Sequence, residues 1–475
     1  MCLAICLHPY QEPVTVSPLT QPRKTRYTYE WYVVSVCMVA YIFSFVDRQI
    51  LSLMIEPIKA DLQISDTQFS LLSGMAFSLF YAFMGIPIAC LADRSSRVRI
   101  IAAGIAFWSL ATAACGLSKN FLQMFLARMG VGVGEAALTP ATYSMLSDMF
   151  PREKLGRALG LYSMGAFLGG GLAFLVGGYV IDLLRGVPSI ELGPLGTVRS
   201  WQLTFFIVGL PGLLVALLIA LSVRDPRRPA QPLAQGKAAL GDGLRFIGLH
   251  RRTFACHFIG FSFFAMCQYA LLSWTPAMYM RKFGLSPVEA GYILGTILLV
   301  LNTAGVFCAG WLIDVLQKRG HHDGALLSAM LGAACMLPPA LAAVLVDDLR
   351  WSIALLAPAM FFCAFPISTS AAAMQVLTPS HLRAQVSALF LLVSNLVGLG
   401  VGTTLVALLT DQFFKDPKAV GSSVAIIVTF AAVLCVGLLG RGRRHFRNSL
   451  LRQSGAAEQA QESHGQALPA NPALR

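Results

Sequence analysis

The chain has 475 residues, 56% of them apolar, and 36 Lys and Arg against 23 Asp and Glu give a formal charge of +13. Charged residues make up only 12%, about half the ~25% of soluble domains and too few to clothe a soluble surface of this size. These figures exclude an ordinary cytosolic enzyme, a disordered chain and a secreted disulfide scaffold.

Residues 1–30 have no basic segment ahead of their short apolar start, so they do not read as a cleaved signal peptide. They are expected to form a cytoplasmic N-terminal arm. A helix needs about 20 apolar residues to cross a hydrocarbon core. Such runs follow at 31–55, 67–92, 100–118, 120–146, 158–181, 200–223, 253–280, 290–313, 324–346, 351–382, 384–410 and 419–440. All except 31–55 and 120–146 lack Asp, Glu, Lys and Arg altogether. Apolar residues continue around every helical face, as expected where lipid replaces water. The expected fold class is an all-α polytopic membrane protein, with twelve transmembrane helices in two six-helix bundles, 31–223 and 252–440.

Twelve crossings put both termini on one side. The basic linker at 224–251 lies on that side and, with Arg252, carries Arg224, Arg227, Arg228, Lys237, Arg245, Arg251 and Arg252. The positive-inside rule makes that side cytoplasmic, in the plasma (inner) membrane if the source is bacterial. Basic residues recur in every second connection rather than in one patch, which fits topology and excludes nucleic acid as a partner. The tail at 441–475 opens with Arg441, Arg443, Arg444 and Arg447, placed against anionic headgroups. It then turns rich in Gln, Ala and Ser and is expected to be disordered. The eleven Cys include no C-x-x-C pair, so neither a disulfide nor a metal is indicated, and no cofactor is expected.

The two halves echo each other, as in transporters built from repeats. The connection after the second run holds Asp93, Arg94 and Arg97; that after the eighth holds Asp314, Lys318 and Arg319. Pro151 through Arg157-Ala158 is likewise matched by Pro379 through Arg383-Ala384.

On these marks the chain resembles the major facilitator superfamily across roughly 31–440. The family's second-loop pattern G-x-x-x-D-R-x-G-R-[RK] is met by Asp93, Arg94 and Arg97, with Ala89 and Ser96 replacing its two glycines. Its fourth-span R-x-x-x-G-x-G core is met by Arg128, Gly132 and Gly134. The pair Asp47-Arg48 and the run Gly130 to Glu135 are similar to the spinster-like branch. The resemblance implies a cytoplasmic gate at Asp93, Arg94, Arg97 and Asp314, with Asp93 facing the start of the eleventh span near 381–384. It also implies proton binding at the matching acid and Arg positions, and lysophospholipid- or sphingolipid-type cargo. The competing reading of the loop charges is solvated residues obeying the positive-inside rule.

Each ionisable side chain at membrane depth costs at least ~2.5–3.5 kcal/mol and needs partners, water or a function. With a rise of ~1.5 Å per residue, Asp47 and Arg128 both fall about 10 Å below the outer boundary. Glu135 lies two turns deeper on the face that carries Arg128. The expectation is an inward-facing constellation in which Arg128 holds Asp47, Arg48 is close by, and Glu135 beneath takes up the coupling proton. The alternative is a permanent salt bridge between helices.

In the second half, Gln268, Tyr269, Trp274, Asn302, Gln375 and Asn395 place polar tips in apolar spans. Each is a candidate for lining the substrate cavity, weighed against bonding to a neighbouring helix. Few deep polar groups and many Phe suit an amphiphile better than a sugar. The reading is a secondary active transporter, proton-coupled, that moves an amphiphilic or lipid-like molecule by alternating access. Its expected partners are that substrate, protons and membrane lipids, and it is expected to act as a monomer. A proton-coupled symporter of a small organic anion is the alternative. Other classes are a non-transporting sensor and a lipid-modifying enzyme. His321 and His322 have no triad or metal set beside them, and no Walker-type G-x-x-x-x-G-K-[ST] supports an ATP-driven pump.

Overall fold

The structure, a computed structural model, describes residues 27–186, 189–191, 197–226, 240–379 and 382–466. Most of the N-terminal arm therefore lies outside the described residues. Twelve helical spans are long and apolar enough to cross a membrane: Thr28–Leu53, Asp66–Gly85, Arg97–Cys115, Phe121–Met149, Lys154–Leu183 and Ser200–Ser222, then Arg251–Phe283, Pro287–Lys318, Gly324–Leu345, Leu349–Leu377, Gln385–Phe414 and Pro417–Leu451. They are numbered here as spans 1 to 12. The chain is an all-α, multi-pass membrane protein. The face holding the start of span 1 and the end of span 12 is the terminal face; the other is the far face.

In the first half, span 1 lies along span 5, span 4 along spans 2 and 3, and span 6 against span 3. In the second, span 7 packs on spans 11 and 12, and span 9 on spans 10 and 12. The halves meet along three seams: span 5 with span 8, span 2 with span 11, and span 1 with span 7.

Small residues set the approach around the charged span. A Cβ on Gly132 would stand 2.6 Å from the Phe77 carbonyl oxygen, and one on Gly134 2.7 Å from the Trp108 nitrogen. Glycine there lets span 4 press on spans 2 and 3 backbone to backbone. Asn120 starts the span by accepting a hydrogen bond from the Gln123 N–H at 3.0 Å, which satisfies an otherwise orphaned donor. Spans 2 and 11 each widen into a π-helical turn, Leu71–Met75 and Leu396–Gly402, and the two turns pack together at their seam.

Three features depart from or add to the sequence reading. The connection between spans 5 and 6 carries a small antiparallel hairpin, Ser189–Glu191 with Thr197–Arg199. The linker contains a short helix, Leu240–Leu249. The Gln-, Ala- and Ser-rich part of the tail, expected to be disordered, is helical up to Gln466, since the last helix runs Val420–Gln466. Leu, Arg, Ala, Gln and Glu are strong helix formers, and no Pro interrupts them before Pro469.

Candidate functional site

Arg128 is completely buried, and Asp47 and Glu135 are each 1% exposed. All three turn into the first bundle rather than toward lipid. Glu135 Oε2 accepts hydrogen bonds from Ser44 Oγ at 2.5 Å and from Arg48 Nε at 2.6 Å. Arg48 Nη2 closes the ion pair at 2.5 Å and also donates to Ser44 Oγ at 3.2 Å. Ser44 sits one helical turn before Arg48, so span 1 offers hydroxyl and guanidinium on one face. The guanidinium is enclosed by rings, 4.6 Å from the centroid of Phe77 and 5.0 Å from those of Phe45 and Tyr81. Such cation–π contacts are worth roughly 0.5–2 kcal/mol each and hold the cation where water is scarce.

Arg128 does not hold the Asp47 carboxylate. Its Nη1 donates to the Asp47 backbone carbonyl at 3.3 Å, and its Nε to the Leu72 carbonyl at 3.4 Å, within the π turn of span 2. The Asp47 carboxyl instead accepts from Thr112 Oγ1 at 3.3 Å. Among the described residues, Asp47 Oδ1, Arg128 Nη2 and Glu135 Oε1 are buried without a partner. The expected ion pair is thus replaced by another, Arg48 with Glu135. Equal depth brought Arg128 to residue 47, but helix rotation gave it the main chain rather than the side chain.

Around this centre Tyr41 stacks on Tyr162 with centroids 4.8 Å apart, and Tyr162 shares a hydrogen bond of 3.0 Å with Thr139. Tyr143 meets the Tyr162 ring edge-on at 5.6 Å. From the second bundle, Tyr269 is half-buried. Ser44, Tyr81 and Thr112 were not singled out from sequence, because hydroxyls are common in apolar spans. The one available signal was the four-residue step from Ser44 to Arg48.

The other cavity candidates separate by position. Trp274 is 1% exposed, donates its indole N–H to the Thr403 carbonyl at 3.0 Å and meets Phe69 edge-on at 6.5 Å. It knits span 7 to spans 2 and 11. Asn395 donates to the Leu391 carbonyl one turn back at 2.9 Å, which satisfies its amide locally. Gln268 and Asn302 are half-buried, and Gln375 is exposed.

At the expected gate, the side chains of Asp93 and Arg94, with His381, lie outside the described residues. Arg97 is engaged by the first bundle and the start of the linker. It donates to Asp148 at 2.5 Å, to Asp225 at 2.9 and 3.2 Å, and to the Ser144 carbonyl at 3.0 Å. It therefore staples the ends of spans 3, 4 and 6 rather than bridging the two halves. Asp314 is exposed at the end of span 8.

The ionic latch between halves is on the far face. Arg281, at the end of span 7, grips Asp66 at 2.6 and 2.7 Å and Glu56 at 2.7 Å. Lys59 also pairs with Asp66. Beside them, Asp411 of span 11 accepts from the Thr67 N–H and Oγ1, both at 2.7 Å, capping span 2 across the divide. Fixed inter-bundle charge thus closes the far face.

A family profile described as Major Facilitator Superfamily matches residues 37–403. The chain is 28% identical over 410 residues to an MFS-type efflux pump of Mycolicibacterium smegmatis, covering 86% of this chain and 91% of that one. It is 23% identical over 405 residues to the hexuronate transporter of Bacillus subtilis, covering 83% and 92%. Among solved structures it superposes with TM-score 0.73 and 26% identity on a bacterial homologue of the human lysosomal transporter Spinster, inward-facing and unoccupied, covering 90% of this chain and 98% of that one. The profile match places the chain in the major facilitator superfamily, whose members are membrane transporters and not enzymes, and the chain is similar to that family's spinster-like members.

Proposed function

We propose that the chain is a proton-coupled secondary transporter that carries an amphiphilic organic molecule by alternating access, with Glu135 as the coupling acid. The observation that carries this reading is the enclosed Arg48–Glu135 pair, ringed by Phe45, Phe77 and Tyr81. Removing one member of a buried pair costs about 3–5 kcal/mol, because the other charge is left uncompensated. A proton on Glu135 removes the anion and releases Arg48. An anionic group on the substrate then restores the lost charge at Arg48, while the rings receive its apolar part. Proton and substrate are thereby linked through one guanidinium.

Latching at the far face and the family's rocking of two bundles support a cavity reached from the terminal face in this state. By the positive-inside rule that face is cytoplasmic, and the membrane is the plasma (inner) membrane if the source is bacterial. The proposed unit is a monomer. A small organic anion is the second reading, favoured by the Arg48 guanidinium offered to a ligand and by the hexuronate-transporting relative. Flux into proteoliposomes under an imposed pH gradient, with lysophospholipids and sugar acids as parallel panels, tests both. The proposal expects gradient-driven uptake of lysolipids; uptake of sugar acids alone moves the assignment to the second reading, and flux without gradient dependence ends the coupling.

A further inference from the structure

A second site lies at the terminal face, far from the central charges. Leu249 at the end of the short linker helix Leu240–Leu249, the start of span 7 and the end of span 12 line a half-open cavity of about 340 Å³. Arg251, Arg252, His250 and His445 line it, and no carboxylate does. Its floor is built and buried: Thr253 and Ser449, 5% and 6% exposed, share a hydrogen bond of 2.9 Å, and the His250 ring meets Ser449 Oγ at 3.2 Å.

The neighbouring cations are already used. Arg443 and Arg447 both pair with Asp323. Arg251 and Arg252 form no ion pair among the described residues, and the first turn of their helix contains no acid. Two unneutralised guanidiniums beside a cavity with hydroxyl and imidazole walls suit a phosphate group. The rim identifies its carrier. Leu249, which borders the cavity, is 73% exposed. An exposed leucine beside two cations at the start of a membrane span matches a lipid, whose phosphate and acyl chains are covalently joined.

We propose that this cavity binds the headgroup of an anionic phospholipid, with Arg251 and Arg252 on the phosphate and Leu249 against the acyl chains. Occupancy would tie the linker to span 12 and so brace the second bundle at this face.

The test uses the full-length protein in a non-ionic detergent, titrated with dioctanoyl phosphatidylglycerol, dioctanoyl phosphatidylcholine and inorganic phosphate, and read by native mass spectrometry and thermal unfolding. Phosphatidylglycerol is expected to bind and raise the melting temperature, phosphatidylcholine at least about ten-fold more weakly. The R251Q/R252Q double variant should lose about ten-fold in phosphatidylglycerol affinity, whereas R444Q, an exposed arginine outside the cavity, should not. Asn448→Asp puts a negative charge on the lining without touching either arginine and should weaken binding similarly, which covers failure of the double variant to fold. Equal binding of the two lipids, full binding by both cavity variants, or inorganic phosphate binding as tightly as the lipid would overturn the proposal.

Discussion

Arg281 on span 7 and Asp66 on span 2 join the two halves through paired hydrogen bonds of 2.6 and 2.7 Å. The Asp66 side chain is completely buried beneath them. This contact closes the far face, and opening that face requires its rupture.

Arg281→Gln removes the grip on Asp66 and Glu56 but leaves Lys59 on Asp66, so the far face should loosen without unfolding. The expected result is faster labelling of a cysteine at position 69, now 2% exposed, by an impermeant maleimide from that side. The measurement is labelling rate in a background with other exposed cysteines replaced. An unchanged rate would show that Arg281 does not hold the face shut.

Gly132→Ala should destabilise the first bundle by about 1–3 kcal/mol, the usual cost of forcing a methyl into a packed interior. Its Cβ would stand 2.6 Å from a main-chain oxygen, which cannot rotate away. Gly170→Ala, where a Cβ meets nothing within 4 Å, is the control. Thermal unfolding in detergent should separate the two.

Asp323 supplies a pH dependence outside the membrane. Burial pushes its pKa up, but hydrogen bonds from Arg443 and Arg447 outweigh burial and hold it below 3.8. A depressed folded-state pKa adds stability above the unfolded value and loses it as pH falls through the folded one. The melting-temperature gap between wild type and Asp323→Asn should therefore be widest at neutral pH and narrow below about pH 4. A gap constant across that range would contradict the assignment.

Arg48→Lys keeps the charge but loses the paired Nε and Nη2 geometry on Glu135 and Ser44. Lysine also spreads less well over the three rings. Flux is expected to fall at least about ten-fold with folding intact, since one lost charge-assisted hydrogen bond is worth about 1.5–3 kcal/mol. The readout is initial uptake rate at matched protein levels.

The spans were legible because insertion demands about 20 apolar residues, a requirement written directly in the chain. The buried charges were legible for the same reason: Asp47, Arg128 and Glu135 interrupt runs that otherwise exclude them. Their partners were not. Helical rise gives height, so residue 47 fell opposite Arg128, but it says nothing of the rotation that sends Arg128 to a carbonyl and Arg48 to Glu135. Trp274 shows the same limit, since a polar tip in an apolar span looks alike whether it meets substrate or the Thr403 carbonyl. The far-face latch was missed because Arg281, Glu56 and Asp66 sit in loop-adjacent positions where charge is ordinary. The two halves also swap sign at their terminal ends. Arg97 meets Asp225 in the first and Asp323 meets Arg443 in the second, an echo that matching residue types cannot find.

Glu135→Gln tests the central claim most directly, because it keeps shape and hydrogen bonding while removing the charge that binds Arg48. In proteoliposomes, pH-gradient-driven accumulation should vanish while substrate exchange at equal pH persists. Accumulation that still follows the pH gradient as in wild type would contradict Glu135 as the coupling acid.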